Sequence, residues 1–172
     1  MREPDWGIMP SVSHVADHHE LMLFAAGCFW HVEEAFRVVP GVLRTQAGYA
    51  DGPPGVPAEA TPCRRDTGHV EAVCVWFDPA VVSLDELLDV FWARHDPAAR
   101  HRVEGGAEYR YRSAVFVTTQ EQRTIVERAV AREQLRRGDD VPVTTQVGLG
   151  ARFQVAAAAN QQYLRRRACR SE

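Results

Sequence analysis

One cysteine occupies a position suited to a nucleophile. Residues 21–27 form a short apolar run typical of a buried strand, and Cys28 directly follows the glycine that closes it. Apolar residues then recur at helical spacing, which predicts a helix over residues 28–39. The positive end of a helix dipole favours a thiolate, so we expect a lowered Cys28 pKa and a reactive thiol. The alternative is a small buried cysteine without chemistry.

A carboxylate lies on an otherwise apolar strand face. Residues 70–77 read as a strand in which Glu71 shares its face with Val73, Val75 and Phe77. If Glu71 is buried, desolvation raises its pKa, and the protonated acid can donate a proton near neutral pH. If it lies at the solvent edge of the sheet, it is an ordinary surface carboxylate. Both alternatives remain open at this point.

Two tyrosines lie near the expected loop ends. Tyr49 ends a strand expected over residues 42–49, and Tyr111 comes at the opening of a strand over residues 112–117. Each ring has an apolar body and a polar tip. Either one could bind a polar substrate atom, although packing is the commoner use of such residues.

The remaining elements alternate along the chain. Helices are expected from Ser83, from Thr118 to about residue 136, and over residues 155–167, with a further strand over residues 141–147. Capping boxes are expected at the first two helices, between Ser83 and Glu86 and between Thr118 and Glu121. This order predicts an α/β (α+β) fold, a two-layer mixed sheet with flanking helices. We expect an irregular arm over residues 1–20 and one domain over residues 21–172.

The composition restricts the class of protein. The 172 residues are 45% hydrophobic and 25% charged with a net charge of −3, which excludes a mainly disordered chain and argues against dedicated nucleic-acid or membrane-surface binding. No segment has the apolar length of a membrane span, and residues 1–20 lack the apolar centre of a signal peptide. The cysteines at positions 28, 63, 74 and 169 lack zinc-type spacing. We therefore expect a cytoplasmic protein without a metal or bound cofactor.

Several motifs, in order, resemble the class A peptide-methionine sulfoxide reductases. The resemblance covers roughly residues 21–167. It is carried mainly by residues 25–36 (AAGCFWHVEEAF), 40–42 (PGV), 48–50 (GYA), 67–73 (TGHVEAV), 95–97 (HDP), 111–114 (YRSA) and 161–164 (QQYL). The Gly-Cys-Phe-Trp and Gly-His-x-Glu elements together are a specific signature. The chain is identified on these motifs as a divergent member of that family, with the fold that the family has.

The resemblance implies a reaction at Cys28. Its thiolate attacks the sulfur of methionine-S-sulfoxide, free or peptide-bound, and Glu71 gives a proton to the oxygen. Tyr49 and Tyr111 hydrogen-bond that oxygen. The resemblance also assigns substrate-binding residues, which are Phe29 and Trp30 around the S-methyl group, together with His31 and His69.

The resemblance also implies how the enzyme is recycled. Cys28 becomes a sulfenic acid, a second cysteine closes a disulfide on it, and a thioredoxin-like protein reduces the disulfide. Cys169 is the candidate for this resolving role in the C-terminal tail, with Cys63 as the fallback. Cationic neighbours of Cys169 favour its thiolate. Cys74 shares a strand face with apolar residues and is expected to be structural.

Four departures from the family pattern bear on substrate choice. Gly106 stands where the family has an active-site Asp, His31 replaces a small residue, and Glu59 replaces a Tyr. Residues 157–160 (AAAN) replace Glu-Asp-Tyr-His. Binding groups set substrate choice. One alternative is therefore a repurposed member that uses Cys28 and Glu71 on a non-methionine small molecule in specialised metabolism, without net redox change. Another is a non-catalytic binding relative.

Overall fold

The structure is a computed structural model, and it describes residues 19–54, 56, 67–98, 107–138 and 140–169. Most of the expected N-terminal arm, together with Glu59, Cys63 and Gly106, lies outside these residues. Within the described part of the chain, no helix is long and apolar enough to cross a membrane.

Six strands form one mixed sheet. They are β1 (Glu20–Ala26), β2 (Val42–Ala50), β3 (Val70–Phe77), β4 (Ser113–Val117), β5 (Gln146–Leu149) and β6 (Phe153–Val155). Their order across the sheet is β5-β4-β1-β3-β2-β6. The pairing of β4 with β5 is parallel, and the other pairs are antiparallel. The prediction of a mixed sheet is confirmed.

Helices cover one face of the sheet. The α-helices of the described residues are α1 (Phe29–Arg37), α2 (Leu84–Trp92), α3 (Gln120–Arg137) and α4 (Tyr163–Ala168), and Ala107–Tyr111 form a 3-10 helix. Apolar side chains of α1, α2 and α3 share one core with one face of the central strands, while the opposite strand face belongs to a second cluster. This is the predicted two-layer arrangement. Cys74 belongs to the second cluster and is fully buried, as expected.

One of the two predicted capping boxes is shifted. Ser83 and Glu86 cap α2 reciprocally, as predicted. The box that begins α3 joins Thr119 to Gln122, so the prediction of Thr118 with Glu121 is wrong. The Gln122 carboxamide oxygen also accepts the Thr118 N–H at 2.8 Å. Thr118 therefore precedes the N-cap residue, which is Thr119. Gln serves a capping box as well as Glu does.

The C-terminal part differs most from expectation. The strand predicted over residues 141–147 is confined to Gln146–Leu149, and the helix predicted over residues 155–167 is confined to Tyr163–Ala168. Before it, Phe153–Val155 pair with the edge of β2, and the Ala156 N–H continues that pairing by donating to the Ala47 carbonyl at 3.0 Å. Tertiary pairing thus overrides the local helix propensity of the alanine-rich residues.

The antiparallel pairing brings four chain segments to one end of the sheet. The end of β1 pairs with the start of β4, since Ala26 lies opposite Ser113. The end of β2 pairs with the start of β3, since Tyr49 lies opposite Glu71. Cys28 follows β1 by two residues. The fold therefore brings the nucleophile candidate to the same end of the sheet as the candidate acid.

Candidate active site

Cys28 is the N-cap of α1. Gly27 turns the chain out of β1 with a φ of 90°, a backbone conformation that other residues rarely adopt. Cys28 is extended, and its carbonyl accepts the backbone N–H groups of His31 and Val32. The predicted helix over residues 28–39 thus begins one residue later and ends at Arg37. The thiol is free and half-buried at the helix start.

Glu71 is buried and faces the start of α1. Only 7% of the residue is exposed, so the alternative of a surface carboxylate is excluded. Its Oε2 accepts the Phe29 N–H at 3.2 Å, which joins β3 to the residue after Cys28. Burial raises the pKa of Glu71, while the Phe29 N–H and the nearby Arg110 guanidinium lower it less. The expectation of a raised pKa is confirmed.

The expectation of a lowered Cys28 pKa is wrong in direction. Burial and then the negative charge of Glu71 raise the pKa of the thiol, and they outweigh the backbone N–H groups of Trp30 and His31, which lower it. The two acids are therefore coupled. When Glu71 holds its proton, one of the causes that disfavour the thiolate disappears. A protonated Glu71 beside a Cys28 thiolate would pair a proton donor with a nucleophile.

The two aromatic residues that follow Cys28 pack against further aromatic rings. Phe29 is buried, and its ring centroid lies 5.5 Å from that of Tyr49. Trp30 is partly buried and stacks on Tyr163 of α4 at 3.9 Å. The Trp30 indole N–H donates to Asn160 Oδ1 at 3.2 Å. Of these contacts, those of Asn160 and Tyr163 were not predicted from the sequence. In the sequence, Asn160 is only one of the departures from the family pattern, and Tyr163 is only one residue of the matched QQYL motif.

Tyr111 belongs to a different element from the one predicted. It ends the 3-10 helix instead of opening a strand. The preceding residue, Arg110, acts electrostatically on Glu71, so this helix reaches the same end of the sheet. The Arg112 guanidinium next in the chain forms an ion pair with Asp51 at 3.2 Å, and Gln146 donates to the same Asp51 oxygen at 2.9 Å. These contacts tie the loop after β2 to the start of β5.

The two histidines assigned to substrate binding differ in exposure. His69 is 7% exposed, its Nδ1 lies 3.0 Å from Thr67 Oγ1, and its ring leaves no room for a side chain at Gly52. His31 is exposed at the first turn of α1. Cys169, the resolving candidate, is free and exposed at the end of α4. Among the described residues, no three His, Cys, Asp or Glu side chains are grouped to hold a metal ion.

Comparisons with known proteins identify the family and agree with the fold. Residues 20–171 match the family described as "Peptide methionine sulfoxide reductase". A protein of Dickeya dadantii named "Peptide methionine sulfoxide reductase MsrA" is 43% identical over 157 residues, which are 90% of this chain and 74% of that protein. A similar match, at 41%, comes from Pectobacterium carotovorum. The chain belongs to the peptide methionine sulfoxide reductase family.

Solved structures agree with this assignment. The methionine sulfoxide reductase A of Corynebacterium diphtheriae is 27% identical with a TM-score of 0.70, over 98% of this chain and 86% of that one. Mxr1 from Saccharomyces cerevisiae, solved in complex with Trx2, is 20% identical with a TM-score of 0.61, over 90% of this chain and 91% of that one. The yeast structure supports the fold alone.

Proposed function

We propose that Cys28 is the catalytic nucleophile of this protein, which is a thiol-dependent reductase of methionine sulfoxide. The Cys28 thiolate attacks the sulfur of methionine-S-sulfoxide. The observation that carries the proposal is the joint placement of Cys28 at the N-cap of α1 and of the buried Glu71 carboxyl against the next backbone N–H. Such an arrangement supplies a thiol with helix N–H groups and an acid with a raised pKa within one site.

The first step transfers oxygen from substrate to enzyme. Glu71 protonates the sulfoxide oxygen while the Cys28 thiolate bonds to the substrate sulfur. The oxygen then passes to the Cys28 sulfur, which gives methionine and a sulfenic acid. The substrate sulfur gains two electrons and the Cys28 sulfur loses two. The thiol proton has left to solvent before the attack, and Glu71, ionised by its transfer, takes up a proton from solvent. Tyr49 and Tyr111 are assigned to hydrogen bonds with the oxygen, and Phe29 with Trp30 to the methyl group.

The second step returns the enzyme to its thiol form. The Cys169 thiolate attacks the Cys28 sulfenic acid, which forms a disulfide and releases water. A dithiol protein then reduces the disulfide by exchange. Cys169 is a free, exposed thiol at the C-terminal end of α4, where a reductant can reach it. In this proposal the reductant is a thioredoxin-like dithiol protein; yeast Mxr1, which shares the fold, has been solved in complex with Trx2.

A cytoplasmic location is part of the same proposal. Within the described residues, Cys28, Cys74 and Cys169 are all free thiols, which suits a reducing compartment. The reaction needs no metal or organic cofactor, because the external thiol supplies both electrons. No observation favours the repurposed or non-catalytic alternatives, so the reductase is the single function we propose.

The test uses both sulfoxide stereoisomers and two substrate forms. Purified protein is assayed with free methionine-S-sulfoxide, with a blocked peptide analogue and with the R isomers, first with dithiothreitol and then with thioredoxin and its reductase. We expect turnover of the S isomers with either reductant. A folded protein that reduces neither S form contradicts the proposal, and the ratio of the two S forms identifies the preferred substrate.

A further inference from the structure

A second buried carboxylate lies in the first helix, and the proposed reaction does not use it. Glu33 is 1% exposed, although it lies only five residues after Cys28. Its Oε2 accepts the Gln162 backbone N–H at 2.7 Å, and its Oε1 accepts the Thr45 hydroxyl at 3.3 Å. The carboxylate therefore joins α1, β2 and the start of α4, which are distant in sequence.

The backbone that Glu33 holds is unusual. Gln162 is the N-cap of α4 and has a φ of 47°, in the left-handed region that residues other than glycine rarely adopt. The hydrogen bond from its N–H to Glu33 stabilises this conformation. The adjacent Gln161 side chain anchors the same turn on β2, because it both accepts the Ala47 N–H and donates to the Ala47 carbonyl.

This turn controls the position of Trp30. Asn160 and Tyr163 flank the two anchored glutamines, and they supply the hydrogen bond and the stacked ring that hold the indole. Trp30 and Glu33 are three residues apart in α1 and so lie on the same side of the helix. Glu33 thus holds the backbone between the two groups that fix the indole.

We propose that Glu33 is a positioning residue that sets the affinity for the sulfoxide by holding the 160–163 turn against Trp30. The inference rests on the proposed function only for the role of Trp30 in substrate binding. Glu33 touches neither the substrate nor the Cys28 sulfur. Its loss should therefore raise KM and leave the chemical step at saturating substrate almost unchanged.

The test compares Glu33 with its neighbour. Glu33→Leu removes both acceptors, and we expect KM for a methionine-S-sulfoxide peptide to rise about tenfold, because the Gln162 N–H of the turn loses its partner. The first-turnover rate at saturation should stay within about threefold. Glu34→Leu is the matched control, because the partly buried Glu34 pairs with Arg37 at 2.7 Å and should leave KM unchanged.

Conservative variants test the hydrogen bonds themselves. Glu33→Gln should behave like the wild type, because its amide oxygen can accept from Gln162 while its NH₂ group donates to the Thr45 hydroxyl. Adding Thr45→Val to Glu33→Gln removes that hydroxyl and should raise KM, whereas Thr45→Val alone should change it little. This series keeps the proposal testable if Glu33→Leu does not fold.

A spectroscopic readout separates positioning from general destabilisation. In protein labelled with 5-fluorotryptophan, the ¹⁹F resonance of Trp30 is assigned with Trp30→Phe. We expect it to move in Glu33→Leu and not in Glu34→Leu, while Trp76 and Trp92 stay unchanged. An unmoved Trp30 resonance, or equal KM effects in both variants, overturns the proposal. Because the resonance is read without substrate, it tests Glu33 even if no sulfoxide is reduced.

Discussion

The nucleophile end of the sheet and the C-terminal segment meet at Trp30, yet they are held by different means. Cys28 and Glu71 are placed by regular elements, since the end of β1, the start of β3 and the first turn of α1 fix them. The segment from Ala156 to Cys169 has only six helical residues and is fixed by the side chains of Glu33 and Gln161.

The difference suggests a division of labour in the proposed reaction. The chemical pair must keep one geometry through every turnover, and backbone hydrogen bonds of a central sheet supply that rigidity. The segment that ends in the resolving candidate must let Cys169 approach Cys28. Segments held by a few side-chain contacts open at a lower free energy than core strands do. The predictions below test whether the two regions can be perturbed separately.

The largest effect is expected at the nucleophile. Cys28→Ser should lower kcat/KM for methionine-S-sulfoxide with dithiothreitol by at least about a thousandfold, because a serine hydroxyl is a far weaker nucleophile than a thiolate. Cys74→Ala is the control, since Cys74 is buried on the other sheet face. Residual activity of Cys28→Ser within tenfold of the wild type contradicts the assignment.

The next effect is expected at the acid. Glu71→Gln should lower kcat by about a hundredfold or more, because no proton is donated to the departing oxygen. Burial raises the Glu71 pKa, so the wild-type carboxyl stays protonated to a higher pH than an ordinary one. The wild-type rate should therefore fall as pH rises through that pKa, and the variant should lack this descending limb. If Glu71→Gln keeps this descending limb, the limb arises from the titration of another group.

The strand, turn and helix around Cys28 could be predicted from the sequence because local patterns determine them. The alternation in β3 isolates Glu71 among apolar residues, and the glycine before Cys28 marks the turn from strand to helix. Burial of Glu71 and the sign of the Cys28 pKa shift were not determined by these patterns. Both depend on which groups the fold brings together, such as the Phe29 N–H against Glu71.

Sequence reasoning failed for the C-terminal segment because distant contacts determine it. The alanine-rich residues 156–159 favour a helix locally, yet Ala156 pairs with Ala47 and Gln161 bonds to the same strand residue. The family motif that includes Gln161 and Tyr163 was recognised, but no role could be derived from it. Its side chains act on residues more than a hundred positions earlier in the chain.

Replacing Gln161, which anchors the C-terminal segment on β2, should have an intermediate effect. Gln161→Leu leaves the Ala47 N–H without its partner at 2.9 Å and should lower the free energy of unfolding by about 1–3 kcal/mol. Gln120→Leu is the control, because Gln120 is exposed at the start of α3 and its replacement should cost less than about 0.5 kcal/mol. Urea denaturation measures both. Equal losses would mean that the Gln161 contacts do not hold the segment.

Replacing Cys169, the resolving candidate, should lower turnover with thioredoxin but not with dithiothreitol. Cys169→Ser should keep turnover with dithiothreitol within about twofold, because that small thiol can reach the Cys28 sulfenic acid directly, and should lose about tenfold or more with thioredoxin. Disulfide mapping after stoichiometric sulfoxide should show a Cys28–Cys169 bond in the wild type. A Cys28–Cys63 bond, or no intramolecular bond, contradicts the role of Cys169.

The smallest effect tests the coupling between the thiol and the acid. The charge of Glu71 is one cause of the raised Cys28 pKa, so Glu71→Gln should lower that pKa and increase the thiolate fraction at pH values where the wild-type Glu71 is ionised. A less basic thiolate is also a weaker nucleophile, which offsets part of the gain. Alkylation of Cys28 by iodoacetamide should therefore accelerate by only about two- to threefold. Glu34→Gln, whose carboxylate is not a cause of the Cys28 shift, should leave the rate unchanged. Slower alkylation in Glu71→Gln would mean that the Glu71 carboxylate assists ionisation of the Cys28 thiol instead of opposing it. Glu71 would then act as a general base toward Cys28 rather than as a proton donor to the substrate.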